Sequence, residues 1–241
     1  MQCFGRSDSL ILTHLTMRIR AVTISKKDSL GIIRDVSLRA EVTEPSRIGL
    51  LGGTFDPPHL GHLAAAETAR EALGLDRVVL VVANDPWQKT GANCPPVSAV
   101  EVRLAMVRAA VVGHPDLEVD DIEVTRGGPS YTADTLDEYA QNHPGSQLFL
   151  LVGSDVAPGL DGWVRPEDVR RRATIVVMER PGHIGGRPPR GWEHEVLDGS
   201  FPDLAGRELR AMVAAGGDSS DAVPPGVANL ILDHELYGIH R

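Results

Sequence analysis

The sequence predicts an α/β domain with a doubly wound parallel sheet. Three observations point there. From residue 48 onward, short apolar runs alternate with helical stretches. Two of those runs, RVVLVVAN (77–84) and QLFLLVG (147–153), are apolar almost throughout, and the loops of unusual composition follow predicted strands. Such alternation makes parallel sheets through right-handed crossovers, and a strand without polar alternation is one covered on both faces. In order, RIGLLGG (47–53) reads as the first strand, and Gly61 to Leu73 as an alanine-rich amphipathic helix that stops near Gly74. RVVLVVAN is the second strand. SAVEVRLAMVRAAVVG (98–113) opens on a capping box of Ser98 and Glu101 and ends at Gly113. LEVDDIEV (117–124) reads as a strand, TADTLDEYAQNH (132–143) as a helix and QLFLLVG as a further buried strand. PEDVRRR (166–172), with proline at a first-turn position, leads into the strand ATIVVMER (173–180). The last third holds HEVLDG (194–199), a helix around GRELRAMVAA (206–215) and a helix that starts after prolines 224 and 225.

With 241 residues and 42% hydrophobic composition, the chain can bury one substantial core. Residues 1–46 show weak alternation and scattered charges, and read as an N-terminal extension, flexible or a small hairpin; residues 47–241 form the single domain. Acidic residues outnumber basic ones by 33 to 24, and the formal charge of −9 argues against nucleic-acid or membrane partners. Any phosphate ligand has to be held locally. Cys3 and Cys94 belong to no motif, which suits a reducing compartment, and no apolar run nears the roughly 18 residues of a membrane span. A cytoplasmic location is expected. A homo-oligomer is compatible with the sequence, which does not fix the oligomeric state.

The loop GGTFDPPHLGHL (52–63) carries the most specific signal. Gly52 and Gly53 leave the backbone open to a phosphate, and the helix that follows directs its N–H groups and positive dipole end at the same space. A Walker lysine and a G-x-G-x-x-G fingerprint are both missing. His59 and His62, one helical turn apart with Gly61 between them, can both reach one phosphate. The same spacing is half of a zinc site, but it lacks a third neighbouring ligand, so no protein metal site is predicted. Asp56, beside two prolines, reads equally as an acid of the site or as a turn-former.

This run closely resembles the first signature of the H-x-G-H nucleotidyltransferases, and the chain from about Ile48 to Tyr237 resembles their nicotinate-nucleotide adenylyltransferase branch. NDPWQK (84–89), RGGPSYTADTL (126–136), LVGSDVAPGLDGW (151–163), VMERPG (177–182) and VPPGVANLILDHELYG (223–238) match in order. The resemblance implies a Rossmann-like sheet of the nucleotidyltransferase type. It also implies an enzyme of NAD biosynthesis that transfers the adenylyl group of ATP to nicotinate mononucleotide, giving nicotinate adenine dinucleotide and pyrophosphate. In-line attack without a covalent intermediate leaves positioning and charge stabilisation as the protein's work. His59 and His62 are the expected catalytic pair and hold ATP phosphates, with Gly52, Gly53, Thr54 and Phe55 beside them. Magnesium is the expected cofactor, arriving with ATP and keeping most of its waters, so no carboxylate cage is expected.

In the second loop Lys89 would contact phosphate and Trp87 cover part of the mononucleotide; a solvated lysine and a packing tryptophan are the alternative. Ser130, Tyr131 and Thr132 introduce a helix, and their backbone N–H groups would donate to the substrate's carboxylate; Ser130 or Thr132 is equally an N-cap. Gly153 and Asp155 end a strand where a carboxylate accepts ribose hydroxyls. Trp163 resembles the tryptophan that stacks on the pyridine ring, or it packs in the core. Arg180 is read as structural, and His183, His194, His234 and His240 fit no ligating spacing. One motif departs. Where the family carries Ile-Ser-Ser-Thr-x-x-Arg for the triphosphate, this chain has LAGRELR (204–210). Gly206 keeps a backbone N–H, Arg210 stays in register, and Arg207 either replaces the hydroxyls with charge or faces solvent. Two other readings therefore stand: transfer to another phosphorylated acceptor, such as nicotinamide mononucleotide or phosphopantetheine, and a nucleotide-binding homologue with weakened catalysis.

Overall fold

The computed structural model describes residues 44–86, 96–179, 184–199, 201–202 and 204–238. Strand β1 (Arg47–Gly53) leads through a turn into helix α1 (Leu60–Leu73), which ends on Gly74 in the left-handed conformation. Then come β2 (Arg77–Val82), α2 (Val100–Ala110), β3 (Leu117–Asp120), a short α3 (Ile122–Arg126) and α4 (Thr132–Asn142). Strand β4 (Gln147–Gly153), a 3-10 turn (Ala157–Gly162), α5 (Pro166–Arg172) and β5 (Ala173–Met178) follow. The described chain closes with β6 (His194–Leu197), α6 (Gly206–Ala214), α7 (Pro225–Asp233) and a 3-10 turn (Leu236–Gly238). All lie in the compact unit Ser46–Arg241.

The six strands are parallel and ordered β3-β2-β1-β4-β5-β6. The order reverses between β1 and β4, and in such sheets ligands bind outside the carboxyl ends of the strands at that reversal. Both faces are covered, as the uniform apolar runs require. Val78, Leu80 and Val82 of β2 join residues of α1, α2, α6 and α7 in one core, while Val79 and Val81 join residues of α4 and α5 in the other. Among the described residues no helix is long and apolar enough to cross a membrane.

Three local expectations fail. LEVDDIEV is a strand only to Asp120, whose Oδ1 accepts the Ile122 N–H at 2.9 Å and turns the chain into α3. The Ser98–Glu101 capping box does not form: α2 starts at Val100 on Ala99, and Ser98 spends its N–H on Asp56 and its carbonyl on Arg103. That helix stops at Ala110, so Gly113, at φ 91°, shapes the turn beyond it.

Candidate active site

A cavity of about 690 Å³ opens where the strand order reverses, walled by the carboxyl ends of β1, β2, β4 and β5. Gly52, Gly53, Thr54, Phe55, His59, His62, Ser130, Tyr131, Thr132, Gly153, Asp155, Trp163, Gly206, Arg207 and Arg210 all line it. Trp87, Lys89, Arg180 and His183 lie outside the described residues.

The two imidazoles stand at the entrance of α1. His59 is its N-cap, His62 lies in the first turn, and the rings stack at 3.7 Å between centroids with 28° between planes. The His59 N–H donates to Nδ1 of His62 at 3.2 Å. A backbone amide can only donate, so Nδ1 is the unprotonated nitrogen and a neutral His62 carries its proton on Nε2. Gly61 makes the stack feasible, because a β-carbon there would lie 3.0 Å from His59 Nδ1. Phe55 supports the pair from beneath: it is 2% exposed, and its ring meets His62 edge-on at 5.0 Å.

The two glycines differ in use. A β-carbon on Gly52 would meet nothing within 4 Å, so its backbone is open to a ligand. On Gly53 it would strike the Phe55 ring at 2.8 Å, so Gly53 is bare to seat Phe55 and not to admit phosphate. Both are the last residues of β1 and not part of the loop.

Three helices begin at this cavity, α1, α4 and α6, with His59, Tyr131 and Ala205 as N-caps. Neither Ser130 nor Thr132 caps α4. The Ser130 hydroxyl instead accepts the Asn84 N–H at 2.9 Å, tying this loop to the one after β2. The first-turn amides of α4 therefore lack a side-chain cap, the arrangement that suits an anion. The α6 entrance adds Arg207 and Arg210, with Arg210 Nη1 donating to the Asp56 carbonyl at 2.7 Å. A β-carbon on Gly206 would sit 3.3 Å from that same carbonyl. Trp163 is half-buried, packing against the α4–α5 core while lining the cavity.

The cytidylyltransferase-like family pattern matches residues 50–221. The probable nicotinate-nucleotide adenylyltransferase of Bordetella pertussis is 36% identical over 200 residues, spanning 80% of this chain and 98% of that protein. Its counterpart in Leifsonia xyli subsp. xyli is 37% identical over 202 residues, spanning 82% and 98%. The chain belongs to the nicotinate-nucleotide adenylyltransferase family. A solved structure, Plasmodium falciparum nicotinic acid mononucleotide adenylyltransferase complexed with NaAD, aligns with a TM-score of 0.65 over 81% of this chain and 98% of that one. At 17% identity it shows the same fold.

In this member of the adenylyltransferase family, several residues that shape the site carry no local motif. Arg103 is 2% exposed and donates to the carbonyls of Ser98, Thr54, Ala83 and Asn84, so one guanidinium binds the loops after β1 and β2 together. Burial pulls its pKa down, and the Asp56 carboxylate acts against that. Its sequence signal was available: Arg103 shares the helical stripe of Met106, Val107 and Ala110, where an arginine is out of place. Asp56 proves a structural turn residue, with Oδ1 accepting the Tyr237 hydroxyl at 2.6 Å and Oδ2 the Ser98 N–H at 3.0 Å. Glu123, 7% exposed, also lines the cavity and accepts the Thr135 hydroxyl at 2.5 Å.

Proposed function

We propose that this chain transfers the adenylyl group of ATP to nicotinate mononucleotide, forming nicotinate adenine dinucleotide and releasing pyrophosphate. The observation that carries the reading is the stacked His59–His62 pair opening onto one cavity with the α6 entrance on one side and the α4 entrance and Trp163 on the other. Membership of the family supports it.

ATP phosphates lie against His59, His62, the open backbone of Gly52 and the α6 first turn. Negative charge grows on the non-bridging oxygens as the mononucleotide's phosphate attacks in line, and donors already aimed there need no reorganisation. Arg207 and Arg210 supply charge at the turn where hydroxyls are missing. The α4 amides take the nicotinate carboxylate, Trp163 covers the pyridine ring, and Asp155 accepts ribose hydroxyls.

The lining residues fit a cation carried by the triphosphate better than one caged by protein. Among the described residues no group of three potential ligands exists, and both carboxylate oxygens of Asp56 are engaged internally. Magnesium bound with ATP neutralises pyrophosphate oxygens. The deciding experiment is pyrophosphate release from ATP, magnesium and nicotinate mononucleotide, with nicotinamide mononucleotide and phosphopantetheine as competing acceptors. Release with the nicotinate substrate is expected to dominate, and its absence with folded protein refutes the reading.

A further inference from the structure

The turn between β1 and α1 keeps its shape through bonds from far along the chain. Asp56 is 6% exposed, and its carbonyl and both carboxylate oxygens are taken by Arg210, Ser98 and Tyr237. Tyr237 stands 181 positions away. Burial, together with the Asp56 carboxylate, pushes its phenol pKa upward, so the hydroxyl remains a donor. The bond joins two unusual stretches of backbone. Phe55 (φ 50°) precedes Asp56, while Tyr237 (φ 60°) and Glu235 (φ 49°) form the closing turn. Left-handed conformations in such residues are unfavourable and persist where neighbouring bonds over-determine them. Between Asp56 and His59 the chain is Pro57-Pro58, whose φ angles are fixed by their rings. Little slack remains between the Asp56 carboxylate and the His59 N–H that orients the His62 ring.

We propose that Tyr237 is a positioning residue for the histidine pair, its hydroxyl acting through Asp56 to fix the turn that presents His59 and His62. The kinetic consequence rests on the adenylyl-transfer reading; the geometric one does not. Tyr237→Phe keeps the ring and removes the donor. Its kcat should fall about tenfold while KM for either substrate stays within about twofold, since misplacement of a reacting group acts on turnover. Adding Tyr237→Phe to Asp56→Ala should cost no more than about twofold beyond Asp56→Ala alone, because both cut one link. Independent multiplication of the two losses, or a rise in KM with kcat unchanged, overturns the proposal. Histidine ring 15N spectra test it without turnover. The unsubstituted protein should show His62 protonated at Nε2, and Tyr237→Phe should shift or broaden the His59 and His62 ring signals. Unchanged ring signals overturn the proposal; if Tyr237→Phe fails to fold, Asp56→Ala is read by the same spectra. Ring signals that respond in a protein releasing no pyrophosphate uphold the positioning role and defeat the adenylyl-transfer reading.

Discussion

At the histidine end of the cavity Arg103 and Arg210 hold the loops by bonds onto main-chain carbonyls, whereas beside Trp163 the holding bonds are exposed ion pairs. Arg103 reaches four carbonyls from a position closed to water. Arg165, two residues after Trp163, spreads instead over Asp134 and Asp137 of α4 and Asp168 of α5, and its side chain is 41% exposed. Buried donors on carbonyls fix positions and are insensitive to salt. Exposed pairs contribute little singly and yield under load. The histidine end is thus the more tightly framed of the two, and the wall beside Trp163 is the more adjustable.

The largest effect expected is on folding. Arg103→Met leaves several buried carbonyls without a donor, and unfolding in denaturant should show a loss of about 3 kcal/mol or more, since each orphaned group costs about 1–3 kcal/mol. His59→Ala and His62→Ala separate chemistry from stability: steady-state assays should find kcat lowered on the order of 10²- to 10³-fold, with melting temperatures little changed. Trp163→Ala should raise KM for the mononucleotide roughly tenfold and leave that for ATP nearly unaltered, as stacking on an aromatic ring is worth about 1–3 kcal/mol. Arg165→Ala should weaken the mononucleotide only a few-fold, by an amount that shrinks as ionic strength rises. If Arg165→Ala lost as much unfolding free energy as Arg103→Met, the contrast between the ends would be false.

The smallest effect lies at the opposite ends of the central strands, just before β1 and β2, where Asp76 accepts the Arg47 N–H and the Ser46 hydroxyl. The backbone bond first, then the hydroxyl, holds its carboxyl below the ordinary value. A carboxylate depressed in the folded state contributes stability in full above its unfolded pKa of about 3.9 and loses it as pH falls through the folded value. Melting curves of Asp76→Asn should therefore show a flatter acid limb below about pH 4 and a slightly lower midpoint near neutrality.

Strands β2, β4 and β5 were legible because each is an apolar run buried on both faces, and the histidine pair was legible because its partners are three residues apart. The order in which the strands pair was not, since it depends on contacts between segments that share no local pattern. LEVDDIEV misled for a related reason: its alternation matches a strand, and only the Asp120 side chain, turning back onto Ile122, shows where the strand gives way. The frame around the histidines escaped detection because its bonds reach across the chain, from Arg103 to Thr54 over 49 positions and from Tyr237 to Asp56 over 181. The serines missing at 205 and 206 were visible as letters. What they mean spatially needed the Asp56 carbonyl.

That carbonyl constrains substitution at the start of α6. Any side chain installed at Gly206 presses its first carbon toward Asp56, 3.3 Å away, and the oxygen it meets is already gripped by Arg210. A side chain at this position therefore asks the proline turn to yield by a few tenths of an ångström, so the two segments respond to each other's substitutions.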